Sequence, residues 1–144
     1  MVVPDANLLI YAFDRSSPNY KVAKPWWEGL MDGTEWIGLD WNVILAFIRI
    51  STNPRINPSP FSIGEIENIV GDWLAMSNVM IINPGSNHFS ILCRLMNEAG
   101  VASNLVSDAH LAALAIENRA TLHSHDRDFQ RFSGLKLYDP IVKR

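Results

Sequence analysis

The stretch ATLHSHDRDF, residues 120–129, passes from apolar, strand-like residues straight into two aspartates one position apart, Asp126 and Asp128, with His123 and His125 beside them. Such a polar cluster commonly closes a strand as a surface turn. It can also do chemistry if other carboxylates converge on it. Asp5 follows the apolar start MVVP in the same way, and Asp108 opens the alanine-rich segment SDAHLAALAIENRA. Asp108 lies in line with Leu111, Ala112, Ala115 and Ile116 at helical spacing, so its carboxylate points toward whatever that stripe packs against. The plain alternative is that an acid in the first turn complements the helix dipole. Carboxylates crowded at one rim repel one another unless a cation stands between them. Oxygen-only ligands favour a hard ion, Mg2+ or Mn2+, over zinc. An ion of that kind suits phosphodiester hydrolysis, where it activates a water and shields the scissile phosphate.

The elements that must position these acids alternate along the chain. MVVPD, EWIGL, NVMIIN, ATLHS and KLYD have the composition of strands, and helical segments follow the first three. In residues 20–31 the positions Tyr20, Ala23, Trp27, Leu30 and Met31 share a face, with Pro25 expected to kink or delay the helix. WNVILAFIRIST is a second helix, stopped by Asn53-Pro54, and Ser62 with Glu65 forms a capping box for a third. FSILCRLMNEAG carries an apolar stripe ending at Gly100, a natural helix terminator. This alternation is that of an α/β domain, in which ligands gather outside the carboxyl ends of the strands. Asp5, Asp126 and Asp128 all follow strands. Residues 1–144 show no repeat, no low-complexity tract and no linker, so one domain is expected.

Composition narrows the choice of partner. Lys+Arg number 12 against 15 Asp+Glu, a net charge of −3, so a polyanion must be gripped locally or through metal rather than by a broad basic surface. The single cysteine, Cys93, excludes an internal disulfide and a cysteine-based zinc site, and its apolar neighbours suggest a core thiol. No apolar run is long enough to span a bilayer and the start lacks the basic residues of a signal peptide, so a cytoplasmic setting is expected.

Together VVPDANLLIYAF, FIRISTNPRI, VSDAHLAALAIE and LHSHDRDFQRF, in this order and spacing, resemble the PIN domain, specifically the VapC-type toxins of bacterial toxin–antitoxin pairs. The resemblance covers Met1 to about Pro140. It implies a central parallel sheet of about four to five strands flanked by helices, an acidic pocket for Mg2+ or Mn2+, and an endoribonuclease that cuts structured RNA, often tRNA. It also implies a cognate antitoxin that holds the enzyme inactive, and a homodimer is expected. Residue by residue, Asp5, Asp108 and Asp126 match the metal-binding acids of the family. Asp128 matches an auxiliary acid expected to act through a metal-held water, and Asn7 a polar position able to support Asp5. The pattern is broken at one place, where the family's glutamate three residues before the arginine of its conserved segment falls on Ala46, ahead of Arg49.

Asp40, at the end of the second strand, is a candidate substitute for that acid, and Asn42 is another; Asp40 can equally be the cap of the helix beginning at Trp41. His123 and His125 alternate, so only one of them can face the pocket, and His110 lies on a different face of its helix from Asp108. None of the three is expected to bind metal. Arg15, Arg49 and Arg55 can touch phosphate or simply be solvated. The tryptophans Trp26, Trp27, Trp36, Trp41 and Trp73 are expected mostly in the core, with an exposed pair at Trp26 and Trp27, able to serve a partner, as the alternative. Two other functions compete: a PIN-like module that binds RNA or protein without cutting, and a phosphatase with an aspartyl nucleophile. The phosphatase would need a second acid where Asn7 stands.

Overall fold

Each of the five apolar runs forms a strand in a computed structural model that describes residues 1–100 and 105–142. The strands are β1 (Val2–Pro4), β2 (Ile37–Leu39), β3 (Val79–Ile81), β4 (Thr121–His123) and β5 (Lys136–Tyr138), and they make one parallel sheet in the order β3-β2-β1-β4-β5. Helices cover both faces of a parallel sheet, which explains why β1 and β2 are continuous apolar or glycine runs buried at every position. At the edge, β5 alternates exposed and half-buried residues instead.

The chain builds outward from β1 through β2 to β3 on one side, then returns to place β4 and β5 on the other. The order therefore reverses between β1 and β4, which is where α/β sheets open a crevice at their carboxyl ends. Register fixes what stands at that rim. Val2 is level with Ile37, and Pro4 with His123. Counting on past the strand ends, Asp5, Asp40 and Ser124 stand level on three adjacent strands.

The helices are α1 (Ala6–Phe13), α2 (Tyr20–Asp32), α3 (Trp41–Ser51), α4 (Ile63–Ala75), α5 (His88–Ala99) and α6 (Val106–Glu117). The Ser62 half of the capping box forms, its Oγ accepting from the Glu65 N–H at 3.1 Å, and α5 ends on Gly100 at φ +64°, where glycine carries no Cβ penalty. Pro25 does not delay α2, which begins at Tyr20 and runs through it. The proline removes one intrahelical bond and is exposed, so water can take the freed carbonyl while Ala23 and Trp27 bury the other face. In α6 burial exceeds one stripe: Ala109 and every residue from Leu111 to Ala115 are buried, because alanines let the helix lie close to both the sheet and α5.

Aromatic packing corrects two expectations. Trp27 and Trp73 are core residues whose ring centroids lie 5.4 Å apart edge to face, and the Phe47 ring packs tilted against Trp73 at 4.8 Å. Trp26 is half-buried and donates from Nε1 to His123 Nδ1 at 3.0 Å, so Trp26 and Trp27 do not form an exposed pair. Trp36 and Trp41 are the exposed ones, at 51% and 48%. Trp41 opens α3 two positions before Val43, off the stripe of Val43, Ile44, Phe47 and Ser51 that the helix buries. Cys93 is half-buried rather than a core thiol, since it lies two positions from buried Leu95, at the flank of its helix. No helix among the described residues is long and apolar enough to cross a membrane.

Candidate metal centre

The acids predicted from sequence converge at the reversal of strand order. Asp5 leaves β1 in extended backbone as the N-cap of α1, and Asp126 leaves β4 as the N-cap of a short 3-10 turn, Arg127–Arg131. Asp108 reaches the same place from the first turn of α6. Carboxylate oxygens of Asp108, Asp126 and Asp128 all lie within 4.8 Å of one another, a spacing that suits a shared hard cation. Asp128, expected to act at one remove, is thus a member of the tight group. Asp5 stands outside it, though near enough for its charge to act on Asp108.

A hydroxyl that sequence reasoning missed organises this rim. Ser124, 1% exposed, donates from Oγ to Asp5 Oδ2 at 2.8 Å and accepts from the Asp126 N–H at 3.0 Å. Asp126 Oδ1 in turn accepts from the Asp128 N–H at 2.9 Å, so the side chain that caps the 3-10 turn is Asp126. One loop therefore links three of the acids through three hydrogen bonds. Its signal in the sequence was a small polar residue one place past a buried strand, level with Asp5. Asn7 is exposed in the first turn of α1, and the side-chain hydrogen bond on Asp5 comes from Ser124.

Crowding has an electrostatic cost. Burial, then the charges of Asp126, Asp5 and Asp128, push the Asp108 carboxyl from 3.8 up to about 6. Burial likewise raises Asp5, against the lowering effect of its bonds to Ser124 and the Ala6 backbone, and Asp126 raises it further. Asp128 has partial compensation from Arg131, whose Nη2 is 3.6 Å from its Oδ1. The donor set, all oxygen, negatively charged and crowded, fits Mg2+ or Mn2+.

A pH dependence follows. The unfolded chain loses the Asp108 proton near pH 4, whereas the folded protein keeps it until about pH 6. Between those values the folded state binds more protons, so stability falls as pH rises. Without divalent metal, the thermal midpoint is expected to be higher at pH 5 than at pH 7, with the slope flattened in Asp108→Asn. Saturating Mn2+ at pH 7 should restore the lost stability, because a ligand at about 100 times its Kd adds roughly 2.7 kcal/mol. A metal-free midpoint that climbs through this window would show that acid crowding does not govern it.

The remaining candidates sit around this centre. Asp40 is buried and bonded to His110, while Asn42 is exposed and Ala46 half-buried on α3. His123 is held neutral by burial, its pKa lowered to about 4, and accepts from Trp26, while His125 pairs with Asp139 at 2.8 Å. Both histidines have structural partners. Arg15, Arg49 and Arg55 are exposed.

Comparison with known proteins finds relatives over nearly the whole chain. The family model described as PIN domain matches residues 2–135. Ribonuclease VapC37 of Mycobacterium tuberculosis is 39% identical over 140 residues, covering 97% of either chain. Among solved structures, VapBC2 from Rickettsia felis bound to a promoter DNA fragment superposes with a TM-score of 0.66 at 19% identity, over 96% of this chain and 98% of that one. A toxin–antitoxin complex from Klebsiella pneumoniae gives 0.61, also at 19% identity, over 97% and 98%.

Proposed function

This chain belongs to the PIN-domain family, and from that premise we propose that it is a VapC-type endoribonuclease toxin, dependent on Mg2+ or Mn2+ and restrained by a cognate antitoxin. The observation that carries the reading is the group of three carboxylates, Asp108, Asp126 and Asp128, within 4.8 Å at the carboxyl rim of the sheet. Such mutual repulsion at a crevice serves no packing purpose, and a divalent ion relieves it. When bound, Mg2+ or Mn2+ supplies water activation at neutral pH and charge neutralisation at the phosphate. The chain's own part is to place the charges: Ser124 holds Asp5 and the Asp126 backbone, and the 3-10 turn aims Asp126 and Asp128 at Asp108. With acids neutralised there, a protein of net charge −3 can hold RNA at one spot.

The antitoxin has a separate place to dock. A cavity of about 640 Å³ lies between α1, α2 and the segment before α4, lined by Phe13, Tyr20, Trp27, Phe61 and Ile69 with Arg15, Lys24 and Glu28. We place an apolar segment of the antitoxin there. Trp41 and Leu45, exposed at 48% and 54% one turn apart on α3, support the homodimer. Structured RNA, with tRNA as the first candidate, is the substrate, and the cytoplasm is the setting.

Purified protein freed of antitoxin is expected to cut total RNA with Mg2+ or Mn2+ and to stop when a chelator is added in excess. Activity that survives chelation would remove the metal from the proposal. Binding of RNA without any cleavage would instead favour a PIN-like module without catalysis, as the missing acid at Ala46 allows.

A further inference from the structure

Asp40 is the N-cap residue of α3 by its backbone, yet its side chain makes no capping bond. An aspartate there normally bonds the N–H groups of its own first turn. This one is 6% exposed, and its Oδ2 accepts from His110 Nε2 at 3.1 Å. Behind it, His110 Nδ1 meets His88 Nε2 at 2.9 Å, and His88 Nδ1 meets Glu117 Oε1 at 2.6 Å. The end carboxylates only accept, so the outer ring nitrogens are donors and the inner pair shares a proton. The far end is anchored by backbone: the Gly85 N–H donates to Glu117 Oε2 at 3.1 Å. A Cβ at residue 85 would stand 2.6 Å from that oxygen, so a larger residue there would make the Glu117 carboxylate shift.

We propose that His110, His88 and Glu117 are positioning residues that hold Asp40 as a further carboxylate of the metal centre, standing in for the acid absent at Ala46. The proposal rests on the ribonuclease reading above. Three observations support it. Asp40 is level with Asp5 on the neighbouring strand, by the register of Val2 with Ile37, so the two point to the same side of the sheet. His110 is two residues from Asp108 on α6, so one helix serves both acids. Among the described residues the side-chain hydrogen bond of Asp40 is made at Oδ2, and Oδ1 is not one of the fully enclosed unpartnered atoms, so water can reach it. Mg2+ keeps several of its waters, and a carboxylate one strand from Asp5 can accept from them.

The test uses the purified full chain, with Mn2+ binding measured directly and RNA cleavage measured at saturating metal. Asp40→Asn and His110→Ala should each weaken Mn2+ binding and lower kcat by about 10- to 100-fold, the usual effect of a group acting through another ligand, with KM for RNA nearly unchanged. Glu117→Ala should behave like His110→Ala. Glu117→Gln, which keeps an acceptor for His88, and His110→Gln, which keeps an amide donor toward Asp40, should recover most of the loss. A purely structural chain would lower the thermal midpoint without moving Mn2+ affinity or kcat, and that result would overturn the proposal. Should the alanine variants fail to fold, Asp40→Asn, of the same size and still an acceptor, decides alone: unchanged Mn2+ affinity returns Asp40 to a structural role. Wild-type protein that neither binds Mn2+ nor cleaves RNA would bring down the ribonuclease reading itself. Active wild type with indistinguishable variants brings down only this inference.

Discussion

Asp108→Asn is expected to abolish RNA cleavage, a loss of more than about 100-fold or roughly 2.7 kcal/mol in activation free energy, while the protein folds as well as before or better. The Asp108 carboxyl is pushed up to about 6, because burial and the charges of Asp126, Asp5 and Asp128 all oppose its ionisation. Asparagine keeps the shape and removes the repulsion. The variant therefore loses the charge a cation needs without losing anything that holds the fold, and catalysis and stability should move in opposite directions. Asp5→Asn should lose cleavage as well, although its bond from Ser124 gives the native carboxylate more support. Cleavage of total RNA with Mn2+, the thermal midpoint at pH 7, and growth on expression without antitoxin measure the three consequences. Full activity in either variant would sink the shared metal site.

Asp126→Asn and Asp128→Asn should differ from each other. Asp126 is the central charge, the first named of those that raise Asp108 and also one that raises Asp5. Its orientation is set on both sides, by Ser124 Oγ on its N–H and by the Asp128 N–H on its Oδ1. Asp128 has a side chain 43% exposed and shares its charge with Arg131. Asp126→Asn should therefore lose Mn2+ binding and cleavage together, whereas Asp128→Asn, at the more exposed and partly compensated carboxylate of the same group, should weaken both less. Asparagine still offers the capping oxygen at 126, so the turn, worth about 1 kcal/mol, should survive. Equal, near-normal activity in both variants would leave HDRD as an ordinary surface turn.

Much of this was legible in the chain because it is local. Apolar runs bounded by breakers marked all five strands, the Ser62–Glu65 box and Gly100 marked helix ends, and aspartates just past β1 and β4 marked the rim. Each signal spans a few residues, and the backbone responds to it at that range whatever the rest of the chain does. Even the misplaced residues show the same limit. Trp41 is large and apolar, and only the stripe that α3 actually buries tells that it faces outward.

The amino-acid sequence by itself determined the alternation of strands and helices, the acids available to a metal, and the gap at Ala46. Tertiary structure alone decided how the acids are held. Ser124 reaches Asp5 across 119 residues of chain, Trp26 reaches His123 across 97, and His110 reaches Asp40 across 70. No periodicity of two or 3.6 residues carries information over such separations. These partners meet because strand order sets β1 between β2 and β4 and because α6 packs where it can touch both Asp5's charge and Asp40's oxygen. The chemistry was written in residue types, and its geometry came from the sheet.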